Sequence, residues 1–270
     1  MLSIDWKERL KKDTLDFYKN KLLNNDFDID IIYNGYPVRI DGNVPNEVIR
    51  FVGKNIASKI AKKSMEFIEF YDYIWKNKGT EGKLIFSVIM SKTIKKEPDF
   101  FLNYIKEKLE NEHDNHIINQ LLNKSVYQYL KKNENKVDIL LKWLGINNKV
   151  LNKELEKLIK KLMKFDSELI SVFFKKLEKN WLNASEREIN INISFLKDLA
   201  KVDKEFYTNI YLKYKNTRNP VYIDILAHSM KIYHPEFETM VENWCLSGNV
   251  RVKKAGSFAK KVLKRLKKGN

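Results

Sequence analysis

Between residues 149 and 164, leucine and isoleucine return every three or four positions, with lysines between them. Wound at about 100° per residue, Leu151, Leu155, Leu158, Ile159 and Leu162 fall on one side of a helix, and Lys149, Lys153, Lys157, Lys160 and Lys164 almost opposite. The spacing predicts an amphipathic helix from about Val150 to Met163. A tryptophan, Trp143, and a polar Gly-Ile-Asn-Asn turn precede it.

The same outline returns along the chain. Trp181, Tyr214 and Trp244 stand where Trp143 stands, about 30 to 40 residues apart. Upstream, Trp75 opens a matching stretch, and the gap to Trp143 holds one more unit, pivoting near Leu109 with its second helix in residues 115–130. Four turns share a second signal: Glu97-Pro98-Asp99-Phe100, Asp166-Ser167-Glu168-Leu169, Asp203-Lys204-Glu205-Phe206 and His234-Pro235-Glu236-Phe237. Proline suits the first turn of a helix, and acidic side chains are favoured at its N-terminus. The unit is therefore helix, turn, helix. One such pair cannot bury its apolar face alone, and stacked pairs share a continuous core. The expected fold is all-α, a curved α-solenoid of helical hairpin repeats, with the tryptophans in its core.

The first 60 residues depart from this pattern. Asn34-Gly35 sits between Ile31-Ile32-Tyr33 and Tyr36-Pro37-Val38, a hairpin signal that Pro37 keeps out of any central strand. A loop or small hairpin is expected at 28–45, then a helix starting near Pro45 or Asn46. Tyr33, Tyr36 and Arg39 either touch a ligand or pack on the first helices. The whole of 1–270 reads as one repeat domain, with N-terminal helices over 1–60 and about six hairpin repeats over 61–270.

Composition sharpens this picture. Nine glycines and five prolines in 270 residues favour helices over a turn-rich β fold. The formal net charge is +16, from 51 basic and 35 acidic residues, which favours an acidic partner such as nucleic acid. A competing reading is compositional drift of an AT-rich genome, since lysine far outnumbers arginine and asparagine and isoleucine are abundant. The single cysteine, Cys245, allows no disulfide within the chain and suits a reducing compartment. Residues 1–12 are charged and amphipathic and lack the apolar core of a signal peptide, and no apolar run is long enough to span a membrane. A cytoplasmic protein with no membrane association follows.

Stacked helices would pool their outward faces into one basic surface able to hold a duplex backbone, each neutralised phosphate contributing through counterion release. Candidate DNA contacts are Lys149, Lys153, Lys157 and Lys160, then Arg187, and on the last helix Arg251, Lys253 and Lys254. Taken singly, each lysine stripe is also what any solvated helix face looks like. The run Glu112-His113-Asp114-Asn115-His116 has metal-ligating side chains, but no cysteine pair or His-Glu-x-x-His motif completes a site. It reads as a surface turn and helix start, with no metal. No phosphate loop and no serine nucleophile elbow occurs. No cofactor is expected.

Gly42-Asn43-Val44-Pro45, Val48-Ile49-Arg50, Lys54-Asn55-Ile56 and Ile74-Trp75-Lys76-Asn77-Lys78-Gly79-Thr80-Glu81-Gly82-Lys83 follow one another in this order. Together they resemble stretches of the AlkD-type DNA alkylation-repair proteins, which are built from HEAT-like helical repeats, the last stretch with lysine where the family has arginine. Residues 143–153 and 221–233 follow the family's later helices in outline. The resemblance implies a HEAT-like repeat fold, a monomer binding double-stranded DNA on its concave face, and excision of alkylated purines as a DNA N-glycosylase. The family's Trp-Asp-x-x-Asp stretch falls on His116-Ile117-Ile118-Asn119-Gln120, so His116 replaces its tryptophan and Gln120 its aspartate. Asn152, with Lys153 beside it, stands for an arginine, and His228 for a second tryptophan. Shifted alignments would bring Asp114 or Asp138 to the carboxylate position instead. A neutral amide cannot supply a carboxylate's charge, so the resemblance leaves two forms of DNA protein, one that excises bases and one that only binds. An interaction scaffold for a protein or RNA partner is the alternative from a different class.

Overall fold

A computed structural model of the chain describes residues 44–144 and 146–269, with positions 8, 11, 12 and 15 before them. The loop or hairpin expected at 28–45, with Tyr33, Tyr36 and Arg39, lies outside the described residues except for its last two positions. Among the described residues the secondary structure is helical throughout, with no strand. The chain divides into two compact units. The first comprises Met1–Asn133 with Ile146–Glu154, and the second Glu134–Gly145 with Leu155–Asn270.

In the first unit, α1 (Asn46–Ile60) begins where the sequence places it, directly after Pro45. A tighter helical stretch, kinked at Lys63 (φ −123°, ψ 36°), leads into α2 (Ile68–Asn77). Then come α3 (Gly79–Thr93), α4 (Pro98–Glu110) and α5 (Asn115–Leu121). A π-helical turn, Leu122–Val126, carries α5 into the short α6 (Tyr127–Leu130). Helix α1 packs on α3, and α3 on α2 and α5. Between them lies an aromatic core. Tyr71, Phe86 and Phe101 are fully buried and meet edge to face at 6.2–6.5 Å, and Trp75 meets Phe86 at 4.9 Å. At its margin Asp72 accepts hydrogen bonds from Tyr104 (2.8 Å) and from Lys108. Partial burial alone would raise this carboxyl, but the two donors and the ammonium charge outweigh it and hold the group below its ordinary range.

The corner between α2 and α3 depends on two glycines. Gly79 has φ +57°, a backbone conformation that a side chain resists. Gly82 lies so close to the end of α2 that an added Cβ would stand 2.3 Å from the Ile74 carbonyl oxygen. That atom belongs to the backbone and cannot swing aside. Gly82→Ala should therefore cost about 3 kcal/mol or more, at the upper end of overpacking effects. Urea unfolding checks this, and a midpoint within error of wild type would show that the corner is looser than described.

The second unit holds α7 (Ile139–Trp143), the body of α8 (Lys149–Phe165), α9 (Glu168–Glu178), α10 (Glu186–Val202), α11 (Lys204–Lys213), α12 (Pro220–Ser229), α13 (Pro235–Cys245) and α14 (Val250–Lys268). Their starts follow local chemistry. Ser185 and Glu188 form a capping box on α10, Asp203 accepts from the Phe206 N–H at 2.9 Å, and Asn219, His234 and Asn249 cap the next three helices. Here α10 packs on α11 and α12, and α12 and α13 both pack on α14. Trp181 is fully buried against Phe174, Tyr214 and Tyr222, with centroids 5.2–5.8 Å apart, and donates its indole N–H to Asn192 at 2.6 Å. Trp143 and Trp244 are likewise buried.

Candidate nucleic-acid interface

Helix α8 carries the lysine stripe, and its apolar side is as expected: Leu151, Leu155, Leu158, Ile159 and Leu162 are all buried. Lys149, Lys153 and Lys157 are exposed along it, each one helical turn from the next. The remaining candidates divide by what they touch. Lys160 sits 2.6 Å from Asp198 on α10, and Arg251 sits 2.5 Å from Asp224 on α12, so both charges are already matched by a carboxylate. Arg187 donates to the Leu144 carbonyl oxygen at 3.0 Å, tying α10 to the end of α7. Lys253 and Lys254 are exposed in the first turns of α14. Among the described residues, Lys149, Lys153, Lys253 and Lys254 form no ion pair.

Around Lys253 and Lys254 the surface is also apolar. Val250 (67 %) and Phe258 (42 %) are exposed there, and the Phe258 ring meets His228 at 4.5 Å and 32°. On α10, Lys197 is pushed below its ordinary value, first by burial and then by the positive charge of Lys231. A bound anion would relieve such a like-charge pair.

The residues at the family's site positions have varied surroundings. His116 is exposed in the first turn of α5, and Gln120 lies one turn further along, half-buried. Asn152 donates to the Ile146 carbonyl oxygen at 3.0 Å and holds the start of α8. His228 belongs to the second unit and meets the Phe258 ring at a tilt, as above. Of these four, Gln120 alone lines a described cavity. This concavity of the first unit, about 210 Å³, lies among α1, α3, α5 and the π turn. Arg50 and Lys54 from α1 and Lys124 from the π turn stand around it, and no carboxylate among the described residues lines it. The two shifted-alignment carboxylates serve elsewhere: Asp114 caps α5, and Asp138 lies 3.4 Å from Lys176.

The acidic and histidine-rich run before α5 is structural. Glu112 is buried, pairs with Lys83 at 2.6 Å and accepts from the His113 and Asp114 N–H groups at 2.9 Å. Lys83, part of the stretch that carries the family resemblance, is thereby committed to the turn. No group of three metal-ligating side chains occurs among the described residues. None of the helices described is long and apolar enough to cross a membrane.

Sequence reasoning missed Asn148, which is buried and central to this region. Its amide donates to the carbonyl oxygens of Leu109 (3.2 Å), Glu110 (3.2 Å) and Glu112 (2.7 Å), while its oxygen accepts from the Leu151 N–H at 3.0 Å. One side chain thus caps α8 and satisfies the C-terminal end of α4. An asparagine before an apolar periodic run is a cap signal, but its three carbonyl partners lie 36 to 39 residues upstream. Arg50 and Lys54 were also missed as a pair, although four-residue spacing puts them on one helix face.

No family model matches this sequence, and comparison with curated proteins and with solved structures gives no match.

Proposed function

We propose that the chain is a DNA-binding protein of stacked HEAT-like helical hairpins, of the DNA alkylation-repair type, whose basic helix faces grip the duplex backbone. The repeat reading draws support from packing inside each unit. Alternate helices lie side by side, α1 on α3 on α5 in the first and α10 on α12 on α14 in the second. Contact between successive neighbours is how helical-repeat proteins build a core.

The observation that carries the DNA reading is the set of exposed lysines without a carboxylate partner among the described residues, Lys149, Lys153, Lys253 and Lys254, in a chain of net charge +16. Phosphate contacts of this kind fix affinity rather than sequence. The reading is of binding without base excision. Excision passes through a cationic sugar, which a nearby negative charge stabilises. Among the described residues, the cavity beside Gln120 offers three cations and no carboxylate. Incubation with a methylated duplex tests this, with retained binding and no released base as the expected result. Release of methylated purine at a rate above that of the free duplex would restore the glycosylase reading.

A second reading, a scaffold for a protein or RNA partner, draws on the exposed Val250 and Phe258 beside Lys253 and Lys254. Binding to a single-stranded RNA or an acidic peptide in preference to duplex DNA would favour it.

A further inference from the structure

We propose that the concavity of the first unit is a site for one phosphate group, held by Arg50, Lys54 and Lys124. It stands on its own geometry, and where the phosphate belongs to a nucleic-acid backbone it deepens the DNA reading.

Four other cations of this unit are matched by acids, while others, Lys149 and Lys153 among them, stand singly on its surface. Lys63 pairs with Glu66, Lys83 with Glu112, Lys106 with Glu110 and Lys108 with Asp72. Arg50, Lys54 and Lys124 share one concavity and have no such partner among the described residues. Three like charges around a concave, partly apolar surface repel one another, and an anion placed among them removes that cost. The guanidinium of Arg50 offers paired donors matched to phosphate oxygens, and the two ammonium groups offer point charges. Asn46 and Gln120 add amide donors at the rim. Ser87 and Ser91 do not compete for the role, because their hydroxyls already donate to the Leu84 and Val88 carbonyl oxygens at 2.8 and 2.6 Å.

Size narrows the ligand. The volume of about 210 Å³ is below the 300–1,000 Å³ of ordinary small-molecule pockets, so a phosphate fits while the remainder of its molecule stays outside. The floor is fixed. Ser125 donates to the Ser87 carbonyl oxygen at 2.8 Å, joining α3 to the π turn, and Gly53 lets α1 approach until an added Cβ would stand 2.8 Å from Val88 Cβ. The π turn sets where Lys124 emerges, and such turns recur at functional positions.

The test uses the full chain, wild type and the double variant Arg50→Gln/Lys54→Gln, with Lys62→Gln/Lys63→Gln as a surface control. Both altered positions are exposed, so the double variant should keep the wild-type melting temperature without ligand. Inorganic phosphate is titrated against chloride of equal ionic strength and binding is read by calorimetry. In parallel, a fluorescent duplex is titrated by anisotropy. Phosphate affinity at least tenfold weaker in the double variant than in wild type and control supports the site. A matching loss of duplex affinity identifies the phosphate as part of a backbone, while unchanged duplex affinity identifies a free phosphate or phosphomonoester. Double-variant binding equal to wild type for both ligands overturns the proposal, as does a wild-type protein that binds neither. Wild-type protein that binds phosphate but not duplex leaves the site standing and removes the DNA reading alone.

Discussion

Reversing Lys149, Lys153, Lys253 and Lys254 to glutamate together should weaken duplex DNA binding at least a hundredfold at about 0.1 M salt, with the fold intact. The size follows from counterion release. Each neutralised phosphate contributes about 0.9 to the slope of log affinity against log salt, which at about 0.1 M makes each contact worth nearly a factor of ten. Four lost contacts would exceed a hundredfold, and the added negative charges repel the duplex further. The slope itself should fall by about 0.9 for each of the four that touches a phosphate. These side chains are exposed and form no ion pair among the described residues, so the melting temperature should hardly move. The matching change at Lys160 and Arg251 gives a different result, because it breaks their pairs with Asp198 and Asp224. There a loss of stability should accompany any loss of binding. A quadruple variant that binds as wild type would remove these four residues from the interface.

Asn148→Ala should be the most damaging single polar substitution in the first unit. It deletes the cap of α8 and leaves the Leu109, Glu110 and Glu112 carbonyl oxygens short of a buried donor. Loss of a cap costs about 1 kcal/mol, and uncompensated buried polar groups add about 1–3 kcal/mol. The total, about 2–4 kcal/mol, is a large share of the 5–15 kcal/mol that holds a typical domain folded. Thermal unfolding should show a drop of several degrees or more. Asn147, next in sequence and exposed, is the control, and Asn147→Ala should change stability by less than about 0.5 kcal/mol. Equal effects at the two asparagines would contradict the network assigned to Asn148.

What could be read from the sequence was what depends on near neighbours. The helix starts at Asn46, Pro98, Glu168, Lys204 and Pro235 follow from prolines, acidic residues and caps within a few positions. The buried side of α8 follows from its period alone. What depends on distant partners was not legible. The carboxylate that engages Lys160 is 38 residues away, the carbonyl that engages Arg187 is 43 away, and the partner of Arg251 is 27 away. Before folding, these three look the same as Lys153 or Lys253. The concavity of the first unit draws Arg50 and Lys54 from α1, Gln120 from α5 and Lys124 from a π turn that no local period announces. The histidine and carboxylate run at 112–116 has the side chains of a metal site, yet Glu112 is spent on Lys83 and two backbone N–H groups.

The measurement that bears most directly on the account is wild-type affinity for a fluorescent DNA duplex, by anisotropy, across a range of salt concentrations. Phosphate recognition predicts a straight line of log affinity against log salt with a steep negative slope, about −0.9 for each contact made. No binding at low salt, or an affinity that ignores salt, would contradict it and leave the charge of +16 as a feature of composition alone.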